Sequence, residues 1–245
     1  MFAALGRVAH GFSTRHGGVS KGARASLDLA DPDEAARMEN YRRLFGDAGL
    51  VPEQAAWLEQ VHGNTVVEVS SPGGPLVPVA QADASFTRLP NLALVVRTAD
   101  CVPVLLSGPG VVAVAHSGWR GTAVDIVGAL VRRLHEEVGV APADLTAAIG
   151  PAIGGDVYEV GSEVVDGLEG AGLAAEDYGR APSPRSPDDR YLVDLKRAVR
   201  TQLERCGVDA IDVSPQCTLQ DPAFYSVRRD GAQTGRQIGF VMRRP

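Results

Sequence analysis

The sequence predicts an α/β fold with mixed strands. Short β-branched runs typical of strands alternate with amphipathic segments of helical periodicity. No internal repeat and no convincing linker divides the 245 residues. This combination favours a single domain that covers residues 1–245.

Six runs of β-branched and apolar residues predict strands. Three of them crowd into residues 92–115, and their continuous apolar character predicts strands that are covered on both faces. The segment Ser107-Gly108-Pro109-Gly110 is a tight turn signal, so the two runs beside it should form a β-hairpin. The predicted strands cover residues 65–69, 92–97, 102–106, 111–115, 146–149 and 210–213.

Three segments predict helices. Residues 122–138 place a series of apolar side chains, Val124 among them, on one helical stripe with charged residues opposite. Residues 195–206 repeat the pattern after Asp194, an N-cap candidate, and residues 33–45 form the third segment. Two stretches predict loops: residues 70–78 are rich in Gly and Pro, and residues 170–190 are expected to be either a lid or disordered.

Composition narrows the classes of function. The chain has 24 basic and 30 acidic residues, a formal net charge of −6. This net negative charge gives no overall electrostatic attraction to nucleic acid or to an anionic membrane. Its apolar runs are too short for a signal peptide or a membrane span, and three cysteines favour a reducing compartment over a disulfide framework. We therefore expect a cytoplasmic protein, a monomer or small homo-oligomer, that binds neither nucleic acid nor a membrane.

Cys101 and His116 flank the predicted hairpin, one before its first strand and one after its second. Because those two ends lie side by side in an antiparallel pair, the two side chains should be neighbours. A thiolate beside an imidazole supports a Cys–His nucleophile pair or, with one more nitrogen ligand, a zinc site with an open fourth position. The alternative is a buried cysteine beside a capping histidine, with no chemistry.

Three arginines are candidates for binding phosphate. Arg120 follows His116 in a glycine-containing segment where a strand ends and a helix begins. The alternative for this segment is that its glycines only permit a tight turn and Trp119 packs in the core. Arg15 lies in a glycine turn, and Arg229 follows two aromatic residues that would suit stacking on a base. The alternative for residues 224–231 is an edge strand followed by an Asp-Gly turn. The late basic cluster is either a solvated surface or an anion site; it comprises Arg228, Arg229, Arg236, Arg243 and Arg244.

Eight ordered motifs across nearly the whole chain resemble the YfiH family, once described as polyphenol oxidoreductase laccases. They include Gln60-Val61-His62-Gly63, Ala82-Asp83-Ala84, Ala99-Asp100-Cys101 and His116-Ser117-Gly118-Trp119-Arg120. The resemblance implies that His62, Cys101 and His116 are the catalytic residues and the ligands of a zinc ion, with copper as the alternative metal. It also implies a single domain of mixed β-sheets sandwiched by helices, an architecture related to toxin deamidases.

The resemblance implies a purine nucleoside phosphorylase that acts on adenosine, inosine and S-methyl-5′-thioadenosine, with adenosine deamination as a side activity. A separate assignment in the family is a hydrolase that edits peptidoglycan precursors by removing L-serine from a nucleotide-linked muramyl intermediate. A metal-stabilised binding protein is the third alternative. A multicopper oxidase would need roughly ten histidines, and the chain has five.

The sequence departs from the family pattern at two places. Asp156-Val157 stand where the family often has cysteines before Tyr158-Glu159-Val160, which argues against a role for those cysteines in metal binding. Val227 stands where a His or Tyr often precedes the paired arginines.

Overall fold

The computed structural model describes residues 8–184, 186 and 189–245. The strands in chain order are β1 (Val8–Phe12), β2 (Ala55–Glu59), β3 (Val66–Glu68), β4 (Ala80–Gln81), β5 (Ala84–Thr87), β6 (Ala93–Thr98), β7 (Val102–Gly108), β8 (Val111–Ser117), β9 (Thr146–Ile149), β10 (Glu159–Val160), β11 (Ala181–Pro182), β12 (Tyr191–Leu192), β13 (Ala210–Val213) and β14 (Gln237–Arg243). The helices are α1 (Glu34–Asp47), α2 (Trp119–Ala123), α3 (Ile126–Arg133), α4 (Ser162–Gly170), α5 (Leu195–Arg205) and α6 (Val227–Asp230). In this described part of the chain, no helix has the length and apolarity that a membrane span requires.

The strands form two large mixed sheets and one small sheet. The five-stranded sheet has the order β1-β14-β6-β2-β4, and the six-stranded sheet has the order β13-β9-β7-β8-β5-β3. The small sheet has the order β10-β12-β11. Antiparallel pairs such as β7 with β8 occur beside parallel pairs such as β2 with β6. The predicted α/β fold with mixed sheets is confirmed.

Side chains of the central strands alternate between layers. Val95 of β6 packs in the cluster that includes helix α1, whereas Leu94 packs in the apolar layer shared by the two large sheets. Leu105 of β7 belongs to the same shared layer, while Val104 and Leu106 pack in the cluster that includes α3, α4 and α5. Because successive residues of a strand point to opposite faces, each large sheet contacts the other on one face and helices on its outer face.

All six predicted strands are present, with ends that differ by no more than two residues. The predicted hairpin is confirmed, since β7 and β8 pair antiparallel from Val102 opposite Ser117 to Gly108 opposite Val111. Helices α1 and α5 confirm two of the helix predictions. Asp194 is the N-cap of α5, and its carboxylate accepts the backbone N–H of Arg197.

The prediction of one helix over residues 122–138 is wrong. The chain breaks between α2 and α3 at Asp125, whose backbone is left-handed with φ of 53°. The Asp125 carboxylate accepts the backbone N–H of Gly128 and so begins a new helix. Val124, which the prediction placed on the apolar stripe, is 46% exposed as a result.

Disorder, one of the two alternatives for residues 170–190, is wrong for the residues that the structure describes. A short 3-10 helix covers Ala175–Tyr178, and the side chain of Tyr178 is fully buried. Strand β11 then pairs with β12. Residues 185, 187 and 188 lie outside the described residues. The loop predicted at residues 70–78 contains no helix or strand, in agreement with the prediction.

Candidate active site and metal centre

Cys101 lies where the chain crosses from the five-stranded to the six-stranded sheet, directly before Val102 of β7. His62 follows β2, and His116 lies near the end of β8, opposite Pro103. The side chains of His62, Cys101 and His116 each offer one ligand atom, and these atoms all lie within 4.8 Å of one another. The structure therefore brings together the three residues that the family resemblance implies as ligands.

The donor set of this triad fits zinc. Tetrahedral zinc has bonds of about 2.0 Å to nitrogen and 2.3 Å to sulfur, so its ligand atoms lie roughly 3.3–3.7 Å apart. Cys101 Sγ and His62 Nε2 are 4.0 Å apart, and the rings of His62 and His116 meet edge to face with centroids 4.7 Å apart. Small side-chain rotations would close the site around an ion. Within the described ranges, no other group of three His, Cys, Asp or Glu residues has this arrangement.

Asp83, a buried residue immediately before β5, connects the two histidines. Its Oδ1 accepts hydrogen bonds from His116 Nδ1 and from the backbone N–H of His62, both at 2.9 Å. Its Oδ2 accepts the backbone N–H of Gly63 at 2.7 Å. Because a carboxylate can only accept, His116 Nδ1 carries the proton and Nε2 is left to coordinate a metal.

Sequence reasoning assigned no role to Asp83. The only signal was its place in one of the family motifs, Ala82-Asp83-Ala84. Burial alone would raise the pKa of Asp83, but the hydrogen bonds from His116 and from the backbone of Gly63 hold it below its usual range. Asp83 therefore remains a carboxylate that orients both histidines.

Two residues of the site have a left-handed backbone. His62 has φ of 62° and Asp100, which precedes Cys101, has φ of 96°. Such conformations cost of order 1–3 kcal/mol in non-glycine residues and persist where the surroundings enforce them. Asp83 holds the loop that contains His62. The Asp100 carboxylate anchors its own loop by accepting hydrogen bonds from the Thr218 hydroxyl and the Arg228 backbone N–H, both at 2.7 Å.

The charges of Cys101 and His116 stabilise each other. Burial would raise the pKa of Cys101, but the positive charge of His116 and hydrogen bonds from both histidines lower it from 9.0 to about 6. Burial would lower the pKa of His116, but Cys101 and Asp83 raise it from 6.5 to about 9. In the absence of metal, the site therefore holds a thiolate and an imidazolium at neutral pH.

We expect the alkylation rate of Cys101 by iodoacetamide in metal-free protein to rise through pH about 6, because the thiolate is the reactive form. His116→Gln removes the cation, so it should shift this midpoint upward. Mass spectrometry of the Cys101 peptide across a pH series measures the rate. Cys206, whose pKa burial raises, is the internal control. A wild-type rate that still climbs near the ordinary thiol pKa of 9.0 would contradict the ion pair.

Gly118 leaves the space that the triad needs. A Cβ atom at this position would lie 2.9 Å from Cys101 Sγ and 3.1 Å from His62 Cδ2. Its φ of −76° is accessible to any residue, so alanine would cause no backbone strain. The added methyl group would act by displacing the side chains of Cys101 and His62. We expect Gly118→Ala to weaken zinc binding by about 10- to 100-fold.

Competition with a chromophoric chelator measures the zinc affinity of Gly118→Ala. The matched control is Gly46→Ala in α1, because a Cβ there would meet nothing within 4 Å. This control should bind zinc as the wild type does. Zinc affinity within twofold of wild type in Gly118→Ala would show that the triad is not arranged as described.

The triad opens onto a cavity of about 720 Å³, within the range of about 300–1,000 Å³ typical of small-molecule sites. The other residues that line it are Ala30, Trp57, Leu58, Glu59, Gln60, Arg97, Thr98, Ala99, Asp100, Ile153, Tyr158, Val227, Arg228 and Arg236. A smaller cavity of about 100 Å³ shares His62 and Cys101 with it and is also lined by Trp119 and Arg120.

Of the three arginines that the sequence offered for phosphate, only Arg120 lines a cavity beside the triad. Arg229 forms two hydrogen bonds of 2.8 Å to the carboxylate of its neighbour Asp230 and donates further bonds to main-chain oxygens, including that of Phe224. Arg15 donates to the main-chain oxygen of Ala25 at 2.9 Å and also approaches Asp230. Both are absent from the lining of the two cavities.

Two members of the late basic cluster, Arg228 and Arg236, do line the large cavity. Arg97, which sequence reasoning missed, lines it as well. The edge strand considered for residues 224–231 is wrong, since helix α6 forms there with the Ser226 hydroxyl accepting the backbone N–H of Arg229. This helix places Val227 and Arg228 on the cavity.

Comparisons with known proteins agree with this architecture. Residues 9–244 match a family model described as multi-copper polyphenol oxidoreductase laccase. A protein of Deinococcus radiodurans named purine nucleoside phosphorylase is 40% identical, over 96% of this chain and 88% of its own. Purine nucleoside phosphorylase PA4543 of Pseudomonas aeruginosa is also 40% identical, over 96% and 93% of the two chains.

Solved structures show the same fold. YlmD from Geobacillus stearothermophilus superposes with a TM-score of 0.91 at 36% identity, covering 98% of this chain and 93% of that one. The hypothetical protein YfiH from Bacillus licheniformis superposes with a TM-score of 0.90 at 29% identity, covering 97% and 93%.

Proposed function

This chain belongs to the YfiH family, the family of the laccase-described model, and on that premise we propose that it is a zinc-dependent purine nucleoside phosphorylase. The proposed substrates are adenosine, inosine and S-methyl-5′-thioadenosine. The observation that carries the proposal is the His62–Cys101–His116 triad in the wall of a cavity of nucleoside size. Relatives at 40% identity bear the name of this activity.

Phosphorolysis breaks the bond between the purine nitrogen and ribose C1′, and a phosphate oxygen bonds to C1′ while the base leaves with the electron pair. Zinc in the His₂Cys site would supply a Lewis acid at the cavity wall. Burial raises the pKa of Tyr158 to about 12, so its hydroxyl stays protonated at neutral pH. A neutral hydroxyl on the cavity can donate a hydrogen bond to the base as negative charge develops there.

The word laccase in the family description does not fit the ligands of this chain. A blue-copper site and a trinuclear cluster together need roughly ten histidines. The chain has five histidines. Among the residues that the structure describes, one group of three side chains, His62, Cys101 and His116, could hold a metal ion. A lone copper ion in place of zinc remains compatible with this donor set, because copper competes well for nitrogen and sulfur ligands.

Phosphate-dependent release of the base tests the proposal. Zinc-loaded protein should convert each of the three nucleosides to free base and the corresponding ribose 1-phosphate, and omission of phosphate should stop the reaction. His116→Ala serves as the control for a contaminating enzyme. If none of the three substrates yields a ribose 1-phosphate, the phosphorolysis proposal fails.

A hydrolytic reaction is the second candidate, in the form of adenosine deamination or precursor editing. The observation that favours editing is the set of arginines on the large cavity, which would also suit the diphosphate of a nucleotide-linked substrate. Ammonia release from adenosine without phosphate would identify deamination. Release of L-serine from UDP-MurNAc-L-Ser would identify editing.

A further inference from the structure

The arginines of the large cavity lack the carboxylate partners that most other arginines of this protein have. Twelve arginines elsewhere lie within 4.0 Å of an Asp or Glu carboxylate. Across the described ranges, Arg97, Arg228 and Arg236 have no such partner. Three unpaired guanidinium groups therefore share one cavity in a protein whose net charge is −6.

The acidic groups on the cavity form no ion pair with these cations, although the charges of Asp28, Cys101 and Asp100 favour the charged form of Arg236. Both carboxylate oxygens of Asp100 already accept hydrogen bonds, from the Thr218 hydroxyl and from a backbone N–H. Glu59 is exposed at the end of β2, where Gln81 donates to it. At Arg236 burial outweighs these negative charges, so an anion in this cavity would stabilise the guanidinium and be bound favourably.

The register of two strands places Arg97 and Arg236 side by side. Ile238 of β14 lies opposite Arg97 of β6, and Gln237 lies opposite Thr98. Arg236 directly precedes β14, two residues before Ile238, and extending the alternation of the strand by one position puts it on the same face as Arg97 and diagonal to it. Both arginines line the cavity. Diagonal neighbours are roughly 7–8 Å apart, and long side chains bridge that distance.

Both side chains are held in place and still have free donors. The Arg97 guanidinium lies 3.4 Å from the centre of the Trp57 ring, and its Nη2 donates to the main-chain oxygen of Pro75. Arg236 Nη1 donates to the main-chain oxygens of Thr234 and Gly235, whereas its Nε and Nη2 donate to no described residue. Each of the two arginines is therefore held by its own neighbours and has hydrogen-bonding capacity left over.

The residues that line the large cavity also include buried polar atoms without a hydrogen-bond partner. Among the described residues, five buried side-chain polar atoms have no hydrogen-bond partner, and three of these belong to Trp57, Arg97 and Thr98. Native proteins leave few buried polar atoms unpaired, and such groups call for a specific explanation. These three atoms are themselves buried, so an anion in the cavity would not contact them directly; they show that the hydrogen bonding inside the cavity wall is incomplete.

We propose that Arg97 and Arg236 form a subsite for a phosphoryl oxyanion in the cavity that contains His62, Cys101 and His116. The inference rests on the proposed function, in which inorganic phosphate is the co-substrate. The phosphate group of a nucleotide presents the same oxygen atoms in the same geometry. The planar, multiply donating guanidinium group is well matched to either source.

Equilibrium dialysis with inorganic phosphate, and separately with adenosine 5′-monophosphate, tests this subsite on the full chain without turnover. Arg236→Gln should raise the dissociation constant by about tenfold, the effect of losing one charge-assisted contact. Arg97→Lys should weaken binding in the same direction, because lysine keeps the charge and loses the planar group. The matched control is Arg243→Gln, at the far end of strand β14, which begins directly after Arg236; Arg243 lies outside the cavity lining. Thermal denaturation of each variant confirms folding.

The two ligands distinguish the source of the oxyanion. Inorganic phosphate bound by wild type and weakened in both variants supports the subsite as the co-substrate site. Binding of the monophosphate alone, weakened in the same variants, supports the subsite and removes inorganic phosphate as its ligand. Dissociation constants that change only in Arg120→Gln, or no binding of either ligand to folded wild type, would overturn the proposal. The separate assay for ribose 1-phosphate decides the proposed function by itself.

Discussion

Replacing Cys101 with alanine is expected to reduce phosphorolytic turnover by about 10³-fold or more, while the protein remains folded. Cys101 supplies the only sulfur of the triad, and its thiolate is also the charge that stabilises the His116 imidazolium. Removing it would leave two imidazoles, a donor set that binds zinc much more weakly than His₂Cys. Turnover with saturating zinc and phosphate measures the effect, and circular dichroism establishes that the fold is retained.

Cys206→Ala provides the control for this substitution. Cys206 is also a partly buried free cysteine, but it lies at the C-cap of α5 and lines neither cavity of the site. We expect its loss to leave turnover within about twofold of wild type, as for most substitutions away from special features. If Cys101→Ala retained turnover within about tenfold of wild type, the triad would not be the reaction centre.

Asp83→Asn is expected to lower zinc affinity by about 10- to 100-fold although Asp83 is not a ligand. The Asp83 carboxylate accepts from His116 Nδ1 and from the backbone N–H groups of Val61, His62 and Gly63. An amide has only one accepting oxygen, so at least one of these donors would face an NH₂ group. We therefore also expect a loss of about 1–3 kcal/mol in the free energy of unfolding of metal-free protein.

Asp33→Asn makes the same chemical change where it should be harmless. The Asp33 carboxylate accepts the backbone N–H groups of Ala35 and Ala36 at the start of α1, and asparagine caps a helix about as well. Chelator competition measures zinc affinity and urea denaturation measures stability for both variants. Wild-type zinc affinity in Asp83→Asn would show that this carboxylate does not position the histidines.

The part of the site that the sequence could predict is the part that depends on local structure. The turn at residues 107–110 predicts the hairpin, and the hairpin alone brings Cys101 next to His116. His62 comes from the other sheet, so its proximity depends on how the two sheets meet where the chain crosses between β6 and β7. No spacing pattern encodes that packing, and only the family resemblance pointed to His62.

The residues that sequence reasoning missed act through long-range register. Asp83 reaches His116 because β5 pairs with β8, and Arg97 lies beside Arg236 because β6 pairs with β14. Strand pairings between distant segments cannot be obtained from the periodicity of either segment alone. Some strands were missed for a different reason, their length. Strands β4, β10, β11 and β12 have two residues each, which is too short to show a period.

Elemental analysis of purified protein tests the central claim, that one metal site is built from His62, Cys101 and His116. Wild type and Cys206→Ala should each carry about one zinc ion per chain, measured with copper in the same samples. His62→Ala, Cys101→Ala and His116→Ala should each retain a small fraction of that amount after dialysis. If none of these three substitutions lowers the bound metal, the site described here does not hold it.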